Sequence, residues 1–253
     1  MDKFGMGIQI KSRQEKITTG ISGLDRLIGG GFPKGSIVLI SGTPGTGKTI
    51  VCFQYLWEGI KNNEKCLFLT SDERIENLQN QAKELGFNFQ KAIEEGLLKF
   101  MFLDLETKNI HKEMEERIRS EGYSRIVLDS LTPLSEVPVW VVNKGNEIIP
   151  MEGAASTTSF PIGSVQATRV HIRRIMNILE GDHCTCLVTS EIPEGTRNLS
   201  RDTISEFLVD GIILLDLDTT MDRRKLTIRK MRGTKHTLKP QDVEIKENGI
   251  ELV

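Results

Sequence analysis

The strongest chemical signal in this sequence is a glycine-rich run that fits the pattern G-x-x-x-x-G-K-[ST] at every fixed position. Its members are Gly42, Thr43, Pro44, Gly45, Thr46, Gly47, Lys48 and Thr49, and Ile50 follows them. Glycines let the backbone curve closely around a polyphosphate, and a helix that starts at the end of the run favours negative charge at its N-terminus. In this pattern the lysine reaches the β- and γ-phosphates, and the hydroxyl of Thr49 coordinates Mg²⁺. This phosphate loop therefore predicts a site for ATP and Mg²⁺.

Acidic residues at two strand ends are the second chemical signal. Asp129 follows the apolar run Ile126–Leu128 and fits the carboxylate that holds Mg²⁺, directly or through water, beside a phosphate loop. Asp72 and Glu73 follow another apolar run, and parallel sheets place ligands just beyond such strand ends. A carboxylate there is suited to polarise the water that attacks the γ-phosphate. Both residues are equally typical of the first turn of a helix, so spacing alone leaves the two interpretations open.

These residues need a framework, and the apolar pattern predicts one in which strands and helices alternate. The runs Ser36–Ile40 and Cys66–Thr70 are short and apolar, as buried strands are. Between them, apolar residues recur on one face of a helix: Phe53, Leu56, Trp57 and Ile60. Later segments continue the alternation, with helices over 74–95 (broken at Gly86), 110–119 and 172–179, and strands over 97–103, 125–129 and 184–189. Such alternation predicts an α/β fold with a mainly parallel central sheet and helices on both faces.

Two regions depart from this alternation. Residues 131–168 form a long inserted stretch, in which Val139–Val142 and Ile148–Ile149 fit the two strands of a hairpin. Connections of this length are usually functional or mobile. The C-terminal region has strand signals only, which predicts antiparallel strands closing one edge of the sheet over 211–215, 225–228 and 243–245. No linker separates independent cores, so we expect one domain over residues 1–253.

The length and composition of the chain exclude some classes of function. The chain has 253 residues, and 33 basic against 35 acidic side chains give a formal net charge of -2 at pH 7. This near balance argues against a protein whose whole surface neutralises nucleic acid. No apolar run approaches the roughly 18–20 residues that a membrane-spanning helix needs, and the first residues lack the apolar core of a signal peptide. The 4 scattered cysteines do not suggest a disulfide framework, so we expect a cytoplasmic protein with no membrane association.

Several further motifs accompany the phosphate loop along the chain. In order, the set is Thr19–Asp25, Gly30-Gly31, the phosphate loop, Thr70–Glu73, Leu128–Thr132 and Lys230–His236. This set and its order resemble the KaiC family of the RecA superfamily. The individual motifs are moderately specific, whereas their order and the closing R-G-T-x-H are highly specific. The resemblance runs from about Thr18 to His236, fits residues 131–168 poorly, and covers one KaiC-type domain. It implies a RecA-like P-loop NTPase core.

The resemblance also implies a hexameric ring of identical subunits that bind ATP between them. Lys230 and Arg232 match the basic residues of the family that reach the γ-phosphate held by the neighbouring subunit, with His236 nearby. A cation supplied in this way is worth roughly 10³ to 10⁵ in rate, because it neutralises charge that develops in the transition state. Without the resemblance, a basic stretch of this kind is more typical of a solvated edge strand.

Roles at the other strand ends follow from the same resemblance. Asp72 and Glu73 match the paired carboxylates that activate water. The first of that pair is usually a glutamate, and Asp72 is one methylene shorter, so we expect Glu73 to be the base and Asp72 to support it. Ser190, with Glu191 beside it, resembles the segment that senses the γ-phosphate. A turn that leaves the sheet would have the same sequence character.

The leading hypothesis is Mg²⁺-dependent ATP hydrolysis by a ring oligomer with a regulatory or signalling role, whose protein partner the sequence does not identify. The first alternative is autophosphorylation, which one half of the two-domain relatives performs on an adjacent Ser-Thr pair. The corresponding segment here is Glu206-Phe207, which resembles the hydrolytic half. It offers no hydroxyl pair, although Ser205 is adjacent.

A second alternative is a recombinase-like ATPase that binds DNA, since Thr19–Asp25 also resembles those relatives. Residues 131–168 lie where such relatives carry channel-facing loops. The candidate basic contacts in and after this stretch are Lys144, Arg169, Arg173 and Arg174. The stretch itself also contains Glu136, Glu147 and Glu152. Nucleic-acid affinity depends on neutralising phosphates, so DNA binding is not favoured. A small-molecule P-loop kinase is the remaining alternative, but the sequence shows neither an acceptor-pocket motif nor a lid motif.

Overall fold

A computed structural model describes residues 15–107, 110–136, 140–142, 148–150, 165–181 and 184–253. Its strands are β1 (Lys16–Ile17), β2 (Phe32–Pro33), β3 (Ile37–Gly42), β4 (Cys66–Thr70), β5 (Leu98–Phe102), β6 (Arg125–Asp129), β7 (Trp140–Val142), β8 (Ile148–Pro150), β9 (Thr185–Glu191), β10 (Gly211–Asp218), β11 (Arg223–Met231), β12 (Gln241–Lys246) and β13 (Gly249–Leu252). Its helices are α1 (Leu24–Leu27), α2 (Lys48–Lys61), α3 (Ile75–Glu84), α4 (Gln90–Glu94), α5 (Ile110–Glu121), α6 (Leu131–Glu136), α7 (Val165–Leu179) and α8 (Ser205–Leu208).

Nine strands form one sheet in the order β5-β4-β6-β9-β3-β10-β11-β12-β13. Neighbouring strands are parallel from β5 to β10 and antiparallel from β10 to β13, which confirms the predicted mainly parallel sheet with antiparallel strands at one edge. Residues 211–215 lie in β10, which pairs in parallel with β3 on one side and in antiparallel orientation with β11 on the other. The antiparallel pairs therefore begin between β10 and β11. β13 was not predicted, since a four-residue strand carries too few apolar positions to give a signal.

Each central strand is buried on both faces, and alternate side chains enter different cores. In β3, Val38 and Ile40 belong to one core, while Ile37 and Leu39 belong to the other. This follows from the period of two in a strand, where successive side chains point to opposite faces. Apolar residues of α2, α3 and α4 complete the first core, and those of α5, α6 and α7 complete the second. Helices therefore cover both faces of the sheet, as predicted.

The inserted stretch is shorter than the predicted 131–168. Its first six residues form α6, because Leu131 and Leu134 lie one helical turn apart and are both buried, and its last four residues belong to α7. The predicted hairpin is present, since β7 and β8 pair in antiparallel orientation. Residues 137–139, 143–147 and 151–164 lie outside the described residues. Among the helices that the structure describes, none is long and apolar enough to cross a lipid bilayer.

The motif before β3 has a structural role. The backbone N–H of Thr19 donates to Oδ1 of Asp25 at 2.9 Å. This bond closes the turn that leads into α1. A Cβ at Gly31, whose φ is +127°, would lie 1.9 Å from the carbonyl oxygen of Ile17. Only glycine fits where two backbone segments approach this closely. These contacts fix the chain where it enters the sheet.

The sheet has two ends, which we name by the direction of its parallel strands. The carboxyl end is where β3, β4, β6 and β9 finish, and the amino end is where they begin. Because β11 is antiparallel to β10, and β10 is parallel to β3, β11 finishes at the amino end. Residues that follow β3 and residues that follow β11 therefore lie at opposite ends of the sheet.

Candidate active site

The phosphate loop joins the carboxyl end of β3 to the N-terminus of α2. Gly45 and Gly47 have φ values of +81° and +100°, in the left-handed region that glycine adopts without strain. A Cβ at Gly42 would lie 2.6 Å from a carbonyl oxygen of β10, so no side chain fits there. Thr46 closes the loop by donating through Oγ1 to the carbonyl oxygen of Thr43 at 2.9 Å. The loop thus has the tight curvature that the sequence predicts, directly before a helix N-terminus suited to phosphate.

Lys48 is the first residue of α2 and is 8% exposed. Its Nζ donates to the carbonyl oxygens of Gly42 and Thr43, at 2.9 and 3.1 Å. Burial lowers the pKa of its ammonium group, while the nearby carboxylates of Glu191 and Asp129 act in the opposite direction. The ammonium group therefore lies within the phosphate loop, where its hydrogen bonds go to neutral carbonyl oxygens. The anionic oxygens of a triphosphate would offer it stronger, charge-assisted hydrogen bonds.

Asp129 ends β6 and accepts hydrogen bonds from two hydroxyl groups. Thr49 donates through Oγ1 to Oδ2 of Asp129 at 2.7 Å, and Thr189 donates through Oγ1 to Oδ1. Burial raises the pKa of Asp129, while these two bonds and the charge of Lys48 lower it. A carboxylate and a hydroxyl in contact are oxygen ligands of the kind that Mg²⁺ takes together with substrate phosphates. Thr49 and Asp129 therefore fit the predicted magnesium site.

Asp72 and Glu73 lie in the loop between β4 and α3 and differ in their contacts. Asp72 accepts hydrogen bonds on both oxygens, from Oγ of Ser71 to Oδ1 and from Oγ of Ser130 to Oδ2, each at 2.8 Å. The backbone N–H of Glu73 donates to Oγ1 of Thr70 at 3.3 Å. Within the described part of the chain, no side chain or backbone group is bonded to the Glu73 carboxylate. Asp72 is thus fixed by its neighbours, whereas Glu73 is available to accept a proton.

One cavity of about 370 Å³ gathers these groups at the carboxyl end of the sheet, a size typical of small-molecule sites. Its polar lining residues are Lys48, Thr49, Thr70, Asp72, Glu73, Gln81, Asp129, Ser130 and Glu191. Its other lining residues are Pro44, Gly45, Gly47, Ile50, Leu78 and Ile245. Leu78, Gln81 and Ile245 were not predicted, because they come from α3 and β12 and belong to no motif.

Two further hydroxyl residues of the site were not predicted, Ser130 and Thr189, although each contacts a site carboxylate. A signal existed for Thr189, because it is a polar residue near the end of an apolar strand that finishes beside the phosphate loop. Ser130 directly follows Asp129 in one of the quoted motifs, but no chemistry was assigned to it. Both bonds join residues far apart in the chain, so only the folded sheet brings the partners together.

Ser190 and Glu191 take different positions at the end of β9. Glu191 lines the cavity, and its N–H donates to Oγ1 of Thr132 at 3.0 Å. Ser190 is fully buried and does not line the cavity. Its Oγ accepts a hydrogen bond from the N–H of Arg201 at 3.0 Å. Within this predicted segment, Glu191 therefore lines the cavity, and Ser190 anchors the loop that follows β9.

Lys230 and Arg232 lie at the amino end of the sheet, and His236 lies in the connection from β11 to β12. Arg232 donates through Nη1 to Oδ1 of Asp210 at 3.2 Å. Asp210 also accepts, through Oδ2, from the N–H of Ile37 at the first position of β3. The phosphate loop starts at the last residue of β3, and at about 3.3 Å per residue the two ends of this strand are roughly 16 Å apart. The structure therefore does not bring Lys230 and Arg232 to the cavity of their own chain.

Of the residues on which the alternative functions depend, those that the structure describes do not line the cavity. Ser205 is buried, and its Oγ donates to Oδ2 of Asp202 at 3.0 Å, so its hydroxyl is held by its own chain. The α7 residues Arg169, Arg173 and Arg174 are exposed, and Glu136 pairs with Arg201. Lys144, Glu147 and Glu152 lie outside the described residues.

Comparison with known proteins gives consistent matches over nearly the whole chain. A family profile described as "ATPase: KaiC" matches residues 17–141 and 156–253. A UPF0273 protein of Methanopyrus kandleri is 33% identical over 242 residues, which are 94% of this chain and 92% of that protein. A UPF0273 protein of Pyrococcus furiosus is 32% identical over 239 residues, which are 93% of this chain and 92% of that protein.

A solved structure agrees with these matches. The crystal structure of a KaiC-like protein from Pyrococcus horikoshii resembles this chain with a TM-score of 0.75 and 28% identity, over 94% of this chain and 99% of that one. The parallel strands, the helices on both faces and the antiparallel C-terminal strands are those of a RecA-like α/β core. The predicted fold class and family resemblance are therefore confirmed.

Proposed function

Because this chain belongs to the KaiC family of ATPases, we propose that it is a Mg²⁺-dependent ATP hydrolase that acts as a ring, with each ATP between two subunits. One observation carries the proposal, namely that the two halves of the expected catalytic site lie at opposite ends of one sheet. The phosphate loop and the carboxylates meet at the carboxyl end, whereas Lys230 and Arg232 lie at the amino end. In the ring, the amino end of a neighbouring subunit supplies the cations of Lys230 and Arg232 to the cavity.

The phosphate loop and Lys48 bind the β- and γ-phosphates of ATP. Their donors are already fixed by the fold, so little reorganisation is needed when the charged substrate enters. Thr49 and Asp129 hold Mg²⁺, which when bound neutralises phosphate oxygens and favours displacement at the γ-phosphate. The apolar side chains of Ile50 and Ile245, which line the cavity, contact the less polar part of the nucleotide.

Glu73 is the base that takes a proton from the attacking water, since this residue lines the cavity and its carboxylate has no competing partner among the described residues. Asp72 supports it from a position fixed by two serine hydroxyls. Glu191 borders the same space beside Lys48 and detects the γ-phosphate. Ser190 couples this contact to the loop after β9, because its Oγ is bonded to the N–H of Arg201 in that loop.

Lys230 and Arg232 of one subunit approach the γ-phosphate of the ATP held by the next subunit, with His236 nearby. Their positive charge stabilises the negative charge that develops on the transferred phosphoryl group. We place six such subunits in a cytoplasmic ring with a regulatory or signalling role on a protein partner. DNA is not the favoured partner, because the chain has a net charge of -2.

Mixing two inactive variants tests the shared site. Lys48→Ala removes the ammonium from the phosphate loop but leaves Arg232 intact, and Arg232→Ala does the reverse. Each variant alone is expected to hydrolyse ATP poorly. In mixed rings, Lys48→Ala subunits present Arg232 to intact phosphate loops, so turnover is expected to rise well above that of either variant alone. Absence of any rise at every mixing ratio would contradict the proposal.

A further inference from the structure

Glu206 lies in α8, the short helix between the loop that follows β9 and the start of β10. Its side chain is half-buried and points back to that loop. Oε2 of Glu206 accepts a hydrogen bond from the N–H of Leu199 at 3.1 Å and another from Oγ of Ser200 at 3.0 Å. The carboxylate therefore ties α8 to residues 199 and 200. Hydrogen bonds to an ionised acceptor are stronger than those between neutral groups.

The backbone of the same residue holds Lys230. Nζ of Lys230 donates to the carbonyl oxygen of Glu206 at 3.1 Å and to that of Val209 at 2.6 Å. Carbonyl groups at the end of a helix lack intrahelical partners, and a lysine ammonium is suited to cap them. The position of the Lys230 ammonium therefore depends on where α8 is placed.

The loop to which Glu206 is tied is itself attached to the carboxyl end of the sheet. Ser41, in β3 just before the phosphate loop, donates through Oγ to the carbonyl oxygen of Leu199. The N–H of Arg201 donates to Oγ of Ser190, the neighbour of the cavity residue Glu191. These hydrogen bonds, together with the backbone of residues 199–201 and of α8, connect the ends of β3 and β9 through Glu206 to Lys230.

We propose that Glu206 is a positioning residue that acts through Lys230. Its carboxylate fixes α8 on the loop, and the carbonyl groups of Glu206 in α8 and of Val209 directly after it fix the cation that the subunit presents to its neighbour. This inference rests on the proposed function, since Lys230 matters for turnover only if it serves a neighbouring site. It assigns to Glu206 an effect on the next subunit's ATP, and none on ATP binding in its own cavity.

Glu206→Ala in the otherwise intact ring is the first test. It should lower turnover by about tenfold or more, because a charge-assisted hydrogen bond is lost, and leave the dissociation constant for ATP within about twofold. Adding Glu206→Ala to Lys230→Ala should lower turnover no further than Lys230→Ala alone, since the two residues act as one unit. Full multiplication of the two effects would overturn the inference.

Placing Glu206→Ala in only one partner of the mixed rings gives the sharper test. In the Lys48→Ala subunits, which donate the cations, it should remove most of the recovered turnover. In the Arg232→Ala subunits, whose own cations serve no active site, it should leave the recovery unchanged. Equal losses in both placements, or no loss in either, would overturn the inference and leave the shared site standing.

Two controls separate positioning from a general loss of structure. Glu136→Gln breaks an ion pair with Arg201 in the same loop without touching α8, and in the Lys48→Ala subunits it should leave the recovery unchanged. Melting curves should show that Glu206→Ala remains folded at the assay temperature, and a loss explained by unfolding would count against the inference. If the parent mixture shows no recovery, the proposed function fails, and the inference fails with it.

Discussion

The carboxyl end and the amino end of the sheet hold their functional residues in different ways. At the carboxyl end, Lys48 is buried and Asp129 is half-buried, and both line a cavity and are bonded to neighbouring strands and loops. At the amino end, Arg232 is exposed and pairs with Asp210 on the surface. A surface ion pair contributes little to stability, so the fold itself gains little from Arg232. In the function that we propose, ATP binding is therefore a property of one chain, and turnover requires two.

Lys48→Ala should abolish the function of the carboxyl end, which is ATP binding. We expect ATP binding to weaken by roughly 100-fold, because a charge-assisted contact with the phosphates is worth about 1.5–3 kcal/mol, and turnover to be lost. Titration calorimetry with ATP and Mg²⁺ measures the first effect. Lys61→Ala, at the exposed C-terminal end of the same helix, is the matched control and should bind normally. Normal binding by Lys48→Ala would contradict the assigned loop.

Arg232→Ala should separate the contributions of the two ends, because it should lower turnover without weakening ATP binding. We expect turnover to fall by roughly 10³-fold with the dissociation constant for ATP nearly unchanged, because a transition-state cation is lost while the cavity stays intact. Arg223→Ala, at the other end of β11, is the control and should behave as the wild type. Steady-state kinetics and calorimetry on the same preparations measure both quantities. Equal losses of binding and turnover would place Arg232 outside a trans role.

The two carboxylates after β4 should differ when each is neutralised. Glu73→Gln should lower turnover by roughly 10² to 10⁴, the range for loss of a general base. Asp72→Asn should lower it by only about tenfold, since the amide keeps one acceptor for the hydroxyls of Ser71 and Ser130. Single-turnover measurements at saturating ATP isolate the chemical step. A larger loss from Asp72→Asn would assign the base to Asp72.

Asp129→Asn should stabilise the protein without nucleotide while abolishing turnover. Burial raises the pKa of Asp129 in the folded chain above its ordinary value of 3.8, so ionising it costs more in the folded state than in the unfolded state. That cost is fully present at neutral pH and disappears as the pH falls below 3.8. We expect the melting temperature to rise at pH 7 and the difference to shrink in acid. A lower melting temperature at pH 7 would contradict this.

The sequence was sufficient for the features that depend on local pattern. The phosphate loop and the alternation of strands and helices were predicted because each signal lies within about ten neighbouring residues. The bonds from Thr189 to Asp129 and from Ser130 to Asp72 were not, because they join residues 60 and 58 positions apart. Such contacts depend on the order of strands in the sheet, which periodicity does not specify.

The orientation of β10 and the attachment of Glu206 were also beyond prediction. The apolar run of β10 indicated a strand with an antiparallel neighbour, which β11 is, but it did not indicate that the strand on its other side is β3, in parallel orientation. The sequence places Glu206 at the position of a phosphorylated pair, whereas its bonds to Leu199 and Ser200 arise from the course of an irregular loop. Loops of this kind carry no periodic signal.

Light scattering coupled to an ATPase assay on the same chromatographic fractions tests the central claim most directly. With ATP and Mg²⁺, we expect a six-subunit species that contains the hydrolytic activity, and monomer fractions at equal protein concentration that bind ATP without turning it over. Full activity in a stable monomer would show that a single chain completes its own catalytic site, which would contradict the account.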